Sequence, residues 1–109
     1  MNLYDQDIYV NVAGGIKVNE PAVDLGMVTS IASSFLNRPV EEKTAIFGEV
    51  GLTGEIRATA QSEQRIMESG RMGFQRCILP RFNLERIKSR QGMDLMGVGS
   101  VEEVIRVLF

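Results

Sequence analysis

The chain has 109 residues, 44% of them hydrophobic, and a formal net charge of −2 at pH 7. That length suits one domain, 1–109, with a core that needs neither disulfides nor a structural metal. With no histidine and a single cysteine, the chain cannot hold a Ser-His or Cys-His nucleophilic pair, a histidine metal site or an internal disulfide.

In chain order, the first signal is Asp7-Ile8-Tyr9-Val10-Asn11-Val12, whose alternation predicts a strand with one buried face. Gly14-Gly15 predicts a turn and Ile16-Lys17-Val18 a short second strand. Asn19 suits a helix cap and Pro21 a first turn. From Ala22 to Leu36 the apolar residues surround most of the helix circumference, which predicts a helix buried against a sheet. Pro39 ends it, because proline disfavours helical geometry in the preceding residue.

Residues 44–50 and 54–59 read as two strands joined by a glycine-containing turn. Ser62 is the expected cap of a helix running to about Met72, with Gly73 as its stop. A strand over 76–80, a short helix over 83–88, a strand over 94–98 and a helix over 100–108 complete the order. Ser100 and Glu103 have capping-box spacing. Helices and strands in this order predict an α+β domain, with helices packed on a mixed sheet. Cys77 lies in the apolar run Cys77-Ile78-Leu79 and reads as a small buried hydrophobe in a reducing compartment. No run approaches the roughly eighteen apolar residues of a membrane span, and the N-terminus lacks a basic region followed by an apolar core. The expectation is a soluble, cytoplasmic protein that makes no membrane contact.

Three segments carry a family resemblance: Tyr9-Val10-Asn11-Val12-Ala13-Gly14-Gly15, then Glu20-Pro21-Ala22-Val23-Asp24-Leu25, then Phe47-Gly48-Glu49-Val50-Gly51-Leu52-Thr53-Gly54-Glu55. Glu63-Gln64-Arg65, and Gly73-Phe74 leading into Ile78-Leu79-Pro80, follow at compatible spacing. The chain resembles the proteolytic domain of the Lon family, with its ribosomal protein S5 domain 2-like fold. In that family a G-P-S-A-G segment supplies a serine nucleophile, and a T-G-E hairpin precedes a lysine base. It also resembles, within that family, the inactive Lon-like domain of RadA-type bacterial DNA repair proteins.

The family's serine position is occupied here by Ala22 and its lysine position by Arg65, 43 residues on. Alanine has no nucleophilic atom. Arginine stays protonated at any workable pH and cannot serve as a general base. An active serine-lysine peptidase, the alternative reading, would have to draw on Lys17, Lys43 or Lys88, and none of the serines stands at position 22. A module that binds peptide without cleaving it is a further alternative. Asp24, two positions after Ala22 in an apolar helix, needs a partner to offset its desolvation. Arg65 is the partner expected, with Glu20 as a second acid within its reach, the other reading being that Arg65 points to solvent from the helix that begins at Ser62.

Gly48, Gly51 and Gly54 do not form a phosphate loop, because no G-x-x-x-x-G-K-(S/T) follows. The paired acids Glu41-Glu42 and Glu102-Glu103 read as solvated. Between Arg71 and Arg90, six cations (Arg71, Arg76, Arg81, Arg86, Lys88, Arg90) face the single acid Glu85. A basic stripe on an acidic chain fits phosphate, and this one is the expected DNA contact, a subunit interface being the other reading. The RadA-type resemblance implies that the domain ends a longer protein with a RecA-like DNA-dependent motor, assembled as a hexameric ring and working with recombination proteins. No metal or other cofactor is expected in this domain, ATP, Mg and Zn belonging to the upstream domains.

Overall fold

The computed structural model describes residues 21–41, 43–88, 90 and 92–109. The expected strands at 7–12 and 16–18, the Gly14-Gly15 turn, the Asn19 cap and Glu20 lie outside these residues. A 3-10 turn, Pro21–Val23, leads into helix α1, Asp24–Leu36. Strand β1 (Thr44–Ile46), the short strands β2 (Glu49–Val50) and β3 (Ile56–Arg57), helix α2 (Ser62–Arg71) and strand β4 (Arg76–Pro80) follow. Helix α3 (Arg81–Leu84), strand β5 (Asp94–Val98) and helix α4 (Val101–Leu108) complete the chain.

Three strands form a parallel sheet in the order β1-β4-β5, with Ile46 opposite Ile78 and Ile78 opposite Met96. The expected mixed character is divided between this sheet and a separate antiparallel ribbon, β2-β3. As the central strand, β4 is covered on both faces, which is why Cys77-Ile78-Leu79-Pro80 is apolar without alternation. One face carries Ala45, Phe47, Cys77, Leu79 and Leu95, packed by Ile66 of α2 and Leu84 of α3. The other carries Ile46, Ile78 and Val98, packed by Leu25 of α1, Ile56 of the ribbon and Val104 of α4. The domain is α+β as expected.

Helix α1 departs from the sequence reading. Its inward residues are Leu25, Gly26, Thr29, Ser30 and Ser33, whereas Met27, Ile31, Phe35 and Leu36 are exposed, Phe35 at 87%. Small side chains let the helix approach its neighbours closely. Two of the hydroxyls bond locally, Thr29 Oγ1 to Leu25 O at 2.8 Å and Ser33 Oγ to Arg38 O at 2.5 Å, which lowers the cost of burying them. The helix ends at Asn37, in the left-handed conformation with φ 54°, while Arg38 N–H donates to Ser33 O at 3.1 Å.

Other boundaries shift for local reasons. The expected strand 44–50 breaks at Phe47-Gly48, and that over 54–59 contracts to β3. Gln61, at φ 58°, rather than Ser62 precedes the first residue of α2 and makes no side-chain cap. The short helix comes earlier than expected, at 81–84, and tight turns carry it to Ile87 through Arg86 N–H to Asn83 O and Ile87 N–H to Leu84 O. Gly97 sets how closely α3 sits on β5, because a Cβ there would lie 3.0 Å from Arg81 Cα and 2.9 Å from Leu84 Cδ2. Ser100 caps α4 as expected, accepting from Glu103 N–H at 3.1 Å, but the Glu103 carboxylate takes Gly99 N–H instead of completing the box on Ser100.

Candidate functional site

The positions of interest meet where β1 stops. Phe47 N–H donates to Ile78 O at 3.0 Å and Gly48 N–H to Ala22 O at 2.8 Å, and Gly48 O accepts from Leu25 N–H at 2.9 Å. These bonds fix the 3-10 turn and the first turn of α1 to the chain between β1 and β2. Space at 48 is tight, since a Cβ would come within 3.1 Å of Ile56 Cγ2 and 3.2 Å of Leu25 Cδ2 and would push on both side chains. Ala22 is buried, and its side chain brings a methyl group and nothing that can attack or donate.

Arg65 approaches the same junction from α2. It is only 5% exposed; Nε donates to Ala60 O at 3.0 Å, and Cζ stands 5.9 Å from the centroid of the buried Phe47 ring. A permanent cation over an aromatic face is an electrostatically favourable arrangement that supplies no proton acceptor. The structure therefore gathers Ala22 and Arg65 around adjacent residues, Ala22 on the backbone of Gly48 and Arg65 on the ring of Phe47.

The expected Asp24–Arg65 ion pair is not formed. Asp24 Oδ2 accepts from Val50 N–H at 3.3 Å, and no ion pair joins it to Arg65 among the described residues. The break at Gly48 brings Val50 N–H to the start of α1, and a carboxylate in a first helical turn also meets the positive end of the helix dipole. Asp24 is half-buried, so solvent supplies the remainder.

The basic residues do not form one stripe. Arg71 ends α2, and Arg76 opens β4 at the N-terminal edge of the sheet, with Nη2 3.6 Å from Met96 Sδ. Arg81 lies beyond the opposite, C-terminal edge, where Nη2 is 2.6 Å from Glu103 Oε1. Glu103 is held below the usual carboxylate range, first by Gly99 N–H and then by the Arg81 charge. Arg86, Lys88 and Arg90 are exposed in the segment that runs from α3 back toward β5.

The ribbon ends in an ordered tip. Glu55 Oε1 accepts from Thr53 Oγ1 at 2.6 Å and from Thr53 N–H at 3.1 Å, while Oε2 accepts from Arg57 Nη2 at 3.0 Å. The Thr53 hydroxyl is the largest of the causes that hold the Glu55 carboxyl at a pKa of about 2. Leu52 is fully exposed at this tip.

The model of the Lon protease (S16) C-terminal proteolytic domain matches residues 1–109, the whole chain. The chain belongs to that family. As a Lon-family domain it is 46% identical over 104 residues to the DNA repair protein RadA of Bacillus subtilis, a match covering 95% of this chain and 23% of that protein. It is 43% identical over 107 residues to RadA of Halalkalibacterium halodurans, covering 98% of this chain and 23% of that protein. It is 40% identical over 104 residues to RadA of Listeria monocytogenes, covering 95% of this chain and 23% of that protein. The Lon-family chain thus spans about a quarter of the length of the curated relatives it matches. The resemblance to RadA-type proteins is upheld. Among the described residues no helix is long and apolar enough to cross a membrane.

Two features of this Lon-family domain escaped the sequence reading. Asn83, buried at α3, clamps the segment after β3: its Oδ1 accepts from Thr59 N–H at 2.8 Å and its Nδ2 donates to Thr59 O at 3.0 Å. The Gly99–Val101 segment holds the ribbon in place, with Ile56 N–H donating to Gly99 O at 2.9 Å and Val101 N–H to Gly54 O at 2.8 Å. Neither leaves a periodic signal; isolated asparagines and glycines read as turn residues.

Proposed function

We propose that this chain is a non-catalytic Lon-type domain of a RadA-type DNA repair and recombination ATPase, serving as an assembly scaffold and a DNA-contacting platform. The observation that carries the first part is the junction: Ala22, which the resemblance puts at the family's serine position, is buried with its backbone carbonyl on Gly48 N–H, and Arg65, which it puts at the lysine position, holds its guanidinium over Phe47. Neither group can form an acyl-enzyme or accept a proton.

The apolar stripe Met27, Ile31 and Phe35, continued by Leu36 on the outside of α1, supports the scaffold role. These residues recur at every fourth position, present one helical face, and are the kind of surface that a neighbouring subunit buries. Arg86, Lys88 and Arg90 support DNA contact. In this reading ATP, Mg and Zn belong to domains beyond these 109 residues, and the ring is formed by copies of the longer protein.

The test is enzymatic. The purified chain should leave unfolded casein intact and take up no serine-reactive phosphonate, and Ala22→Ser alone should remain inert because Arg65 cannot deprotonate the new hydroxyl. Stoichiometric labelling of the unaltered chain, or casein turnover that survives repurification, would overturn the reading.

A further inference from the structure

Around α3 the residues that point inward and outward have different chemistry. Asn83 is clamped to Thr59, Leu84 and Ile87 pack against the core of Phe47, Cys77 and Leu79, and Lys88 N–H donates to Glu63 Oε1 at 3.1 Å. These anchors fix the backbone on both sides of Phe82 and Arg86. Phe82 is 52% exposed, and the Arg86 guanidinium carbon stands 4.4 Å from the centroid of its ring. An aromatic ring and a planar cation thus lie against each other on the outside of a segment whose inner residues are hydrogen-bonded and packed.

The charges nearby are unbalanced. Arg57, Arg81 and Arg106 are each in an ion pair, with Glu55, Glu103 and Glu102, whereas among the described residues no ion pair engages Arg86, Lys88 or Arg90. The local acids are Glu85 and Glu63, and Glu63 accepts from the Lys88 backbone. Cations left unpaired beside an exposed aromatic are the two components that bind unpaired nucleotides: phosphate attraction along the backbone and a π-face on which a base stacks. Duplex DNA offers only the first, because its bases are stacked on each other.

We infer that Phe82 and Arg86 form a stacking platform for an unpaired base, flanked by Lys88 and Arg90 for its phosphates, so that this face takes single-stranded nucleic acid in preference to duplex. The inference rests on the DNA-contacting reading above and specifies which form of DNA that face recognises.

The experiment is a fluorescence-anisotropy titration of the chain against labelled oligothymidylate and against a blunt duplex of equal length, at low salt. Phe82→Ala should weaken single-strand binding by about 5- to 100-fold, the range for loss of one base–aromatic stack. Duplex binding should stay within about twofold, as expected for a contact made by charge alone. Phe82→Trp should retain single-strand affinity and Phe82→Leu should lose it, separating stacking from simple apolar bulk. Circular dichroism and thermal unfolding establish that each variant is folded. Equal losses on both DNAs, or affinity kept by Phe82→Leu, overturn the platform. If Phe82→Ala changes nothing while the triple reversal Arg86→Glu, Lys88→Glu and Arg90→Glu abolishes duplex binding, the platform is wrong and the DNA-contacting reading survives. If the unaltered chain binds neither DNA, both fall.

Discussion

The two faces of the parallel sheet solve burial in opposite ways. On the face of Phe47, Cys77 and Leu79, helix α2 turns Ile66 inward and is amphipathic in the ordinary sense. On the face of Ile46, Ile78 and Val98, helix α1 contributes Leu25 together with Gly26, Thr29, Ser30 and Ser33, and holds Met27, Ile31 and Phe35 outward. Hydroxyls face inward and large apolar groups face outward. An isolated domain gains nothing from that inversion, since roughly 25 cal/mol per Å² of apolar burial is left unused. The outward apolar face is what the proposed scaffold role would use, and the inward face is what the fold uses.

Two phenylalanines measure the contrast. Phe47→Ala removes a fully buried ring and the surface under Arg65, and should destabilise the domain by about 3–5 kcal/mol in chemical denaturation. Phe35→Ala, at 87% exposure, should change monomer stability by no more than about 0.5 kcal/mol. Comparable losses would show that α1 packs the other way round.

Asn83→Ala tests the anchored side at smaller scale. It leaves Thr59 N–H and C=O without the partners they have now, so a loss of about 1–3 kcal/mol is expected. Asn83→Asp keeps the acceptor and forfeits the donor, and should fall between the two.

The ribbon tip should be resistant to acid. Because the folded Glu55 carboxyl sits at about 2 against an ordinary value of 4.5, its contribution is complete above the higher value and is lost as pH falls through the lower. A carboxyl NMR titration should place its midpoint near 2. Glu55→Gln should be less stable at neutral pH and should converge on the parent only as pH falls below about 2, where the Glu55 carboxyl becomes protonated in the folded state too.

The smallest effect expected is a null. In a double-mutant cycle with Asp24→Asn and Arg65→Met, the coupling energy should lie near zero, because Asp24 is bonded to Val50 and Arg65 to Ala60. Removing one member of a buried ion pair would instead cost about 3–5 kcal/mol.

How much of this was legible depended on whether the signal was local. β4, β5 and the cap at Ser100 match their sequence patterns, because an apolar run, its flanking glycines and a capping residue all act within a few positions. The Ala22 and Arg65 positions were visible as departures from a motif. The partner of Asp24 was not, because Val50 N–H becomes available only once the chain breaks at Gly48 to bond Ala22 and Leu25. Nor was the orientation of α1. With apolar residues all around the helix, periodicity could not choose a face, and the choice fell to close packing by small residues, of which Thr29 and Ser33 bond their hydroxyls within their own segment. The six basic residues looked contiguous in sequence, but β4 carries Arg76 and Arg81 to opposite ends of the sheet, and Glu103 engages the latter.

The most direct test of an assembly role is sedimentation equilibrium of the chain over a wide concentration range, beside Ile31→Asp/Phe35→Asp. The unaltered chain should show a weight-average mass that rises with concentration above its 12.1 kDa monomer, while the double variant, folded and equally stable, should stay at the monomer mass. A monomer at every concentration, or a variant that associates as readily as the parent, would contradict the account.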